Sequence, residues 1–478
     1  MSTPRECHSA VLSIGVAAPT LRLPVAQVAA GWGRAGGRGQ VAVCGPSEDA
    51  LTLAWLAARR AITAAGILPE EIGGVWWGCT RPPFAEGPNL SFLSAALRLH
   101  PQSEAALLSG SPHAGIDALL AAADAVTSGR VSTALVVASD SLLPALGSGL
   151  EAASGAGAVA VLLAAEGPAS LGQVTTEWSP VLDRYRGDLE TETREVYDGR
   201  LFREQVFLPL CQTVGSSLSA DPSTRWSLPD PDGRLGRTLG ERLGSIKVVS
   251  SAARSELGDT GAAAPLLGLA AALGEPGNLI ALGFGGGRAT ALSIQVTSPV
   301  PGSSVVQQHL SGGREVTYTE ALRCRGQLVA SGETVEMAVP PGSAMFVRGS
   351  HEMLALLGAR CLACATVNTP PNVHPTCIGC GAIEFEIIPL PLHGTVQTFV
   401  VNQTMPAPFV APLPLLVLDL EDGSRISCQG ASDGSDLYIG VPVELQLRRY
   451  ALERGVPIYG YAALVATASD KTIERPST

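Results

Sequence analysis

Two Cys-x-x-Cys pairs, Cys361-Leu-Ala-Cys364 and Cys377-Ile-Gly-Cys380, stand twelve residues apart and constrain this chain more than any other feature. Thiolates at i and i+3 of a tight turn can both reach one ion, and Zn2+ takes four ligands tetrahedrally, with sulfurs at about 2.3 Å. Gly379 and Gly381 give the second turn the backbone freedom that sulfur ligation needs. Four thiolates leave no position for a reacting water, so the expected site is a structural zinc held by Cys361, Cys364, Cys377 and Cys380. Four ordinary core cysteines, or a redox pair, are the alternatives. His374, between the pairs, is surplus to a four-sulfur site and is expected to face solvent.

The rest of the chain must fold by burying apolar surface. It has 478 residues, 46% of them hydrophobic, which is enough for several domains with sizeable cores. The formal charge is −11, with Lys and Arg scattered, so there is no basic stripe for nucleic acid. Small anionic ligands need only a local pocket and stay possible. Apolar stretches are broken by Gly, Pro or charge before the roughly 18 residues of a membrane span. Met1–Leu12 lacks the apolar core of a signal peptide, and ten Cys without a disulfide-like spacing suit a reducing cytoplasm.

Residues 1–298 read as alternating strands and helices. Glu48–Ala65 has helical apolar spacing, with Ser47 as an N-cap and Gly66 past the end. Phe92–Leu99 is a short helix and Ile116–Thr127 an Ala/Leu helix. Thr133–Ala138 and Ala158–Leu163 are strands. A polar, irregular middle (Trp178–Arg237) precedes a strand at Ile246–Ser250 and a helix at Ala262–Leu273. Leu279–Gly283 and Thr290–Val296 form a hairpin around a Gly-rich turn. Such alternation predicts sheet covered by helices on both faces. From Ser298 the texture changes. Residues 299–350 read as linker and connecting segment, 351–385 as the zinc ribbon, and 386–478 as a small all-β barrel or sandwich with a C-terminal tail.

With the chain laid out, a resemblance covers nearly all of it. EDALTLAWLAARRAI (48–62), SPHAGIDALLAAADAVTSGRVSTALVVASD (111–140), EAASGAGAVAVLLAA (151–165), DTGAAAPLLGLAAAL (259–273) and LIALGFGGGRATAL (279–292) resemble, in order, the thiolase superfamily. The nearest branches are 3-hydroxy-3-methylglutaryl-CoA synthase and ketoacyl synthase III. RCLACATVNTPPNVHPTCIGCGA (360–382), with Gly394–Thr398, Asp419–Arg425 and Ile439–Val443, resembles the zinc-ribbon OB-fold family that travels beside thiolases. The resemblance implies an α/β thiolase-like fold of two similar halves, an acyl-CoA ligand and a homodimer, followed by ribbon and OB barrel.

Family chemistry uses a Cys nucleophile at a helix N-terminus, where the helix dipole favours the thiolate. The resemblance puts that Cys at Pro112. It puts the synthase acid/base Glu at Thr80, and it requires a His in the second half, where no histidine occurs between His113 and His309. The module is therefore expected to be catalytically degenerate. The rival is a relocated nucleophile, Ser109 or Ser111 activated by His113. Cys79 and Cys44 read as small buried hydrophobes rather than nucleophiles. Gly283, Gly285 and Gly286 match a loop that lines the family pocket, or form a plain hairpin turn. Gly155-Ala156-Gly157 alone is weak evidence for phosphate. Asp183-Arg184-Tyr185-Arg186 matches a stretch of fused relatives, or is a solvated loop.

The resemblance thus implies a subunit supporting C–C bond-forming or bond-breaking acyl-CoA chemistry with a Cys-bearing thiolase partner. Such modules form complexes in isoprenoid precursor synthesis, aromatic C-acetylation and steroid side-chain cleavage. The alternative is an active condensing acyltransferase or hydroxymethylglutaryl-CoA synthase-type enzyme. The acyl group is expected on CoA or a carrier, with neither nucleic acid nor membrane as partner.

Overall fold

The computed structural model describes residues 5–196, 198–244, 246–329, 343–405, 409–453 and 455–466. They divide into two compact units: Met1–Leu90 with Leu99–Leu328, and Ser91–Arg98 with Val329–Thr478.

The first unit is organised by one sheet. Besides the short Arg5–Glu6, its strands are β1 (Ala10–Ala17), β2 (Gly74–Gly78), β3 (Glu104–Leu108), β4 (Thr133–Ser141), β5 (Ala156–Ala164), β6 (Ala169–Trp178), β7 (Arg225–Ser227), β8 (Lys247–Val248), β9 (Gly277–Gly285) and β10 (Arg288–Val296). The order across the sheet is β8-β7-β9-β10-β6-β1-β5-β4-β2-β3. Read outward from the middle, each half runs first, fifth, fourth, second, third: β1-β5-β4-β2-β3 on one side, β6-β10-β9-β7-β8 on the other. The two inner pairings of each half are antiparallel and the two outer ones parallel. The same topology thus occurs twice, back to back.

Helices cover the sheet because their sequences are apolar where they meet it. Helix α1 (Ala50–Ala65) starts at Asp49, not at Ser47 as expected. The Asp49 carboxylate accepts from the Leu51 and Thr52 N–H groups while Thr52 Oγ1 accepts from Asp49 N–H, and Gly66 closes the helix at φ 67. Helix α2 (Asn89–Ala96) belongs mostly to the second unit. Helix α3 (Ala114–Thr127) buries Ile116, Ala118, Leu119, Ala122, Ala123, Ala125 and Val126. The supposedly irregular middle holds helix Leu208–Ser216 and strand β7, around a core of Phe207, Cys211, Trp226 and Phe284.

Residues 299–328, expected to be linker, are folded into this unit instead. Val300, Val306 and Leu310 lie in its main core, Val316 and Ala321 pack with Leu21 and Leu23, and Arg314–Glu315 pairs in parallel with Leu21–Arg22. Prolines and glycines hid a regular supply of apolar anchors. Residues 330–342 of the expected connecting segment, and the tail after 466, lie outside the described residues.

In the second unit, helix α4 (Ser343–Ala355) leads into a three-stranded ribbon of Leu357–Cys361, Val367–Asn368 and Phe385–Pro389. Five strands then close a barrel: β11 (His393–Asn402), β12 (Leu413–Leu420), β13 (Arg425–Gly430), β14 (Pro442–Glu453) and β15 (Val456–Val465), in the order β11-β12-β13-β15-β14. Strict alternation does the work: Leu416, Leu418, Val443, Leu445 and Leu447 point inward and are almost wholly buried. Among the described residues, no helix is long and apolar enough to cross a membrane.

Candidate functional site

The site the sequence singled out lies where β3 hands over to helix α3. Ser109–His113 form the turn, and the hairpin tip between β9 and β10 presses onto it. A Cβ on Gly285 would sit 2.7 Å from the His113 nitrogen and 2.8–2.9 Å from Pro112, and one on Gly286 would sit 3.1 Å from Ser111 Cβ. Only glycine permits so close an approach of backbone to backbone. The Gly-rich tip is therefore a packing surface for Ser111, Pro112 and His113, while Gly283 faces Ile116 in the same helix.

Pro112 supplies no nucleophile at this helix start. His113, buried, turns its ring away from Ser111. Its Nε2 lies 2.8 Å from Thr290 Oγ1 on β10, which in turn lies 2.9 Å from Thr176 Oγ1 on β6. Its Nδ1 lies 3.0 Å from Asp117 Oδ2, a close approach rather than a well-aligned hydrogen bond, and Arg288 Nη1 donates to Asp117 Oδ1 at 2.7 Å. Burial pushes the Asp117 carboxyl up, but the His113 ring and the Arg288 guanidinium outweigh it and hold the group below its ordinary range. Ser111 Oγ accepts only the His113 backbone N–H, at 3.2 Å, among its described bonds. The Ser111–His113 side-chain pairing that the rival reading needs is not among the described bonds.

Thr80 sits at the end of β2 under a buried carboxylate, Asp140 of β4. Asp140 Oδ1 accepts from the Thr80 N–H (2.8 Å), the Thr80 hydroxyl (2.9 Å), the Arg81 N–H (3.2 Å) and the Cys79 thiol (3.4 Å); Oδ2 accepts from the Ala262 N–H (2.7 Å). Burial pushes the Asp140 carboxyl up despite these donors. Burial, and then the neighbouring Asp140, push the Cys79 thiol well above its usual range, so it is held as a donor and not as a thiolate. Cys44 is also buried.

The Asp183–Arg186 stretch is not a solvated loop at its start. Asp183 Oδ2 accepts from the Gly286 N–H at 2.8 Å, and Arg184 Nη1 meets Asp259 Oδ2 at 2.6 Å with both side chains about nine-tenths buried. The Asp183 contact holds the hairpin tip, and the Arg184 pair ties the same stretch to Asp259. Nothing local in the sequence announces them, because Gly286 and Asp259 lie far along the chain. Gly155 and Gly157 mark close packing against Leu257 and Thr260 rather than a ligand cradle.

The relatives of the chain speak to this arrangement. No protein-family model matches it. The hydroxymethylglutaryl-CoA synthase of Methanothermobacter thermautotrophicus is 29% identical over 300 residues, 58% of this chain and 85% of that protein. That of Aeropyrum pernix is 28% identical over 350 residues, 68% of this chain and 96% of that protein. The chain is similar to hydroxymethylglutaryl-CoA synthases over most of their length. Its fold agrees: MvaS in complex with 3-hydroxy-3-methylglutaryl coenzyme A superposes with a TM-score of 0.58 at 20% identity, covering 71% of this chain and 95% of the other. An HMG-CoA synthase complexed with CoA gives 0.60 at 16% identity, covering 68% and 92%.

The four ribbon cysteines form a separate cluster. Their sulfurs all lie within 4.8 Å of one another, with Cys361–Cys380 at 3.7 Å and Cys364–Cys377 at 3.6 Å. Four sulfurs at about 2.3 Å from a tetrahedral centre would be about 3.8 Å apart, so the set fits zinc in both spacing and donor chemistry. The two turns are built alike. Ala365 and Gly381, each four residues past the first Cys of its pair, take φ 61 and φ 81, and each N–H returns to the carbonyl of that Cys.

Proposed function

We propose that this chain is a catalytically degenerate, acyl-CoA-binding subunit that supports C–C bond chemistry carried out on a Cys-bearing thiolase. The observation carrying this reading is Pro112 at the start of α3, with both nitrogens of the adjacent His113 directed at Thr290 and Asp117. Acyl transfer needs a nucleophile and a base within reach of each other. Here the base faces a buried threonine and a carboxylate. The Asp140 network at Thr80 offers a further carboxylate, buried and accepting from several donors. Acyl-CoA as ligand is supported by the CoA and HMG-CoA complexes of the structural relatives. A carrier-bound acyl group is supported by a relative solved with a donor acyl-carrier protein.

The C-terminal unit fits a zinc ribbon followed by an OB-fold. Its support is the sulfur geometry and the closed barrel order β11-β12-β13-β15-β14, in which the last strand sits between the third and fourth. Zinc bound by Cys361, Cys364, Cys377 and Cys380 would tie the two turns together. We also place a homodimer contact at strand β3, which pairs only with β2 among the described strands and leaves one edge free. The run Thr133–Ala138 lies inside the sheet between β2 and β5 and is not at this edge.

The alternative, a condensing enzyme using Ser111, keeps one point in its favour: Ser111 lies directly against the Gly286 tip. Assay of condensation between acetyl-CoA and acetoacetyl-CoA separates the two. The purified chain alone is expected to show none. Turnover abolished by Ser111→Ala would replace this proposal with the alternative.

A further inference from the structure

Leu90 and Leu99 belong to the first unit, yet Ser91–Arg98 between them belong to the second. This stretch carries most of helix α2 and ends at Arg98, whose φ of 59 is left-handed. A non-glycine residue holds that conformation only where its surroundings over-determine it. Three carbonyls do so here. Arg98 Nε donates to Ala355 O at 2.7 Å, and Nη2 donates to Leu390 O at 3.0 Å and Leu356 O at 3.4 Å.

Those acceptors are not arbitrary. Ala355 is the last residue of α4, where carbonyls lack helical partners and a cation is favoured. Leu356, itself at φ 49, joins α4 to the ribbon, and Leu390 follows the ribbon strand Phe385–Pro389. Arg98 thus closes the junction of helix, ribbon and barrel with one planar group. Beside it, Phe92 meets the buried Tyr459 of β15 edge-on, with ring centroids 6.2 Å apart. Tyr461 donates to Leu354 O at 2.9 Å, and its hydroxyl lies 3.4 Å from Ala96 O.

We propose that α2 and Arg98 form a docking element, a short internal ligand from the N-terminal part of the sequence that completes the second unit. Arg98 is the anchor and Phe92 the aromatic contact, and the bound partner is the α4–ribbon–barrel face around Leu354–Leu356, Leu390, Tyr459 and Tyr461. The mode is helix-in-groove recognition applied within one chain. This inference does not depend on whether the site is degenerate.

The test uses the full chain with a specific protease sequence inserted between residues 336 and 337. Uncut wild type, Phe92→Ala and Arg98→Ala are first compared by circular dichroism and thermal unfolding, then cut and run by size exclusion. The wild-type halves are expected to co-elute, and each variant to weaken their association by about tenfold or more, with Arg98→Lys intermediate because it lacks the planar fork. Should a variant misfold, a peptide of residues 86–100 in excess must displace the first half from cut wild type. Wild-type halves that separate on cutting, variants that co-elute as tightly as wild type, or a peptide without effect would each overturn the proposal.

Discussion

At the residue scale, the start of α3 turns on where one imidazole points. The pairing of His113 with Asp117 is readable from sequence, since residues i and i+4 share a helix face. Its second partner, Thr290, is 177 positions away and is brought in by the β9–β10 hairpin. This is why a sequence reading could place His113 near Ser111 but could not see it engaged elsewhere. Asp117 holds a depressed pKa in the fold, so its contribution is present above the unfolded carboxyl pKa and lost as pH falls through the folded one. Asp117→Asn is therefore expected to cost about 1 kcal/mol at neutral pH, and progressively less below about pH 4. Urea unfolding of both proteins across pH checks this. A penalty that is constant with pH would contradict it.

At the element scale, the gathering of the four cysteines is the clearest case of structure legible in sequence. Two Cys-x-x-Cys turns required left-handed residues at matching positions, and Ala365 and Gly381 supply them. If four sulfurs share one zinc, Cys364→Ser should lower bound metal to well under one equivalent and destabilise Leu357–Pro389, since structural zinc contributes on the order of 10 kcal/mol in small ribbons. Metal analysis and hydrogen exchange over the ribbon measure both effects; wild type purified without zinc would contradict the assignment. Regular helices and strands were equally legible, because hydrophobic period follows from burial on one face. The helix start at Asp49, the folded segment 299–328 and the transfer of Ser91–Arg98 to the second unit were not. Each depends on a partner distant in sequence, or on which of two nearby cap residues, Ser47 or Asp49, forms the capping box.

At the scale of the whole molecule, repetition of one five-strand topology across the sheet leaves β3 and β8 at its ends. Strand β3 carries Ala106, Leu107 and Leu108 only half buried, an edge that natural proteins cover. Light scattering is expected to give a dimer at micromolar concentration, and Leu107→Lys to shift it towards monomer. A wild-type monomer would remove the proposed contact.

The central claim is that the synthase-like site binds acyl-CoA without taking the acyl group. Intact-mass spectrometry of the full chain after incubation with acetyl-CoA tests it directly, with binding followed in parallel by calorimetry. The expected result is measurable binding with no increment of one acetyl group on the protein. A stoichiometric acetyl adduct mapping to Ser109, Ser111, Cys79 or Thr290, and lost when that residue is replaced, would contradict it.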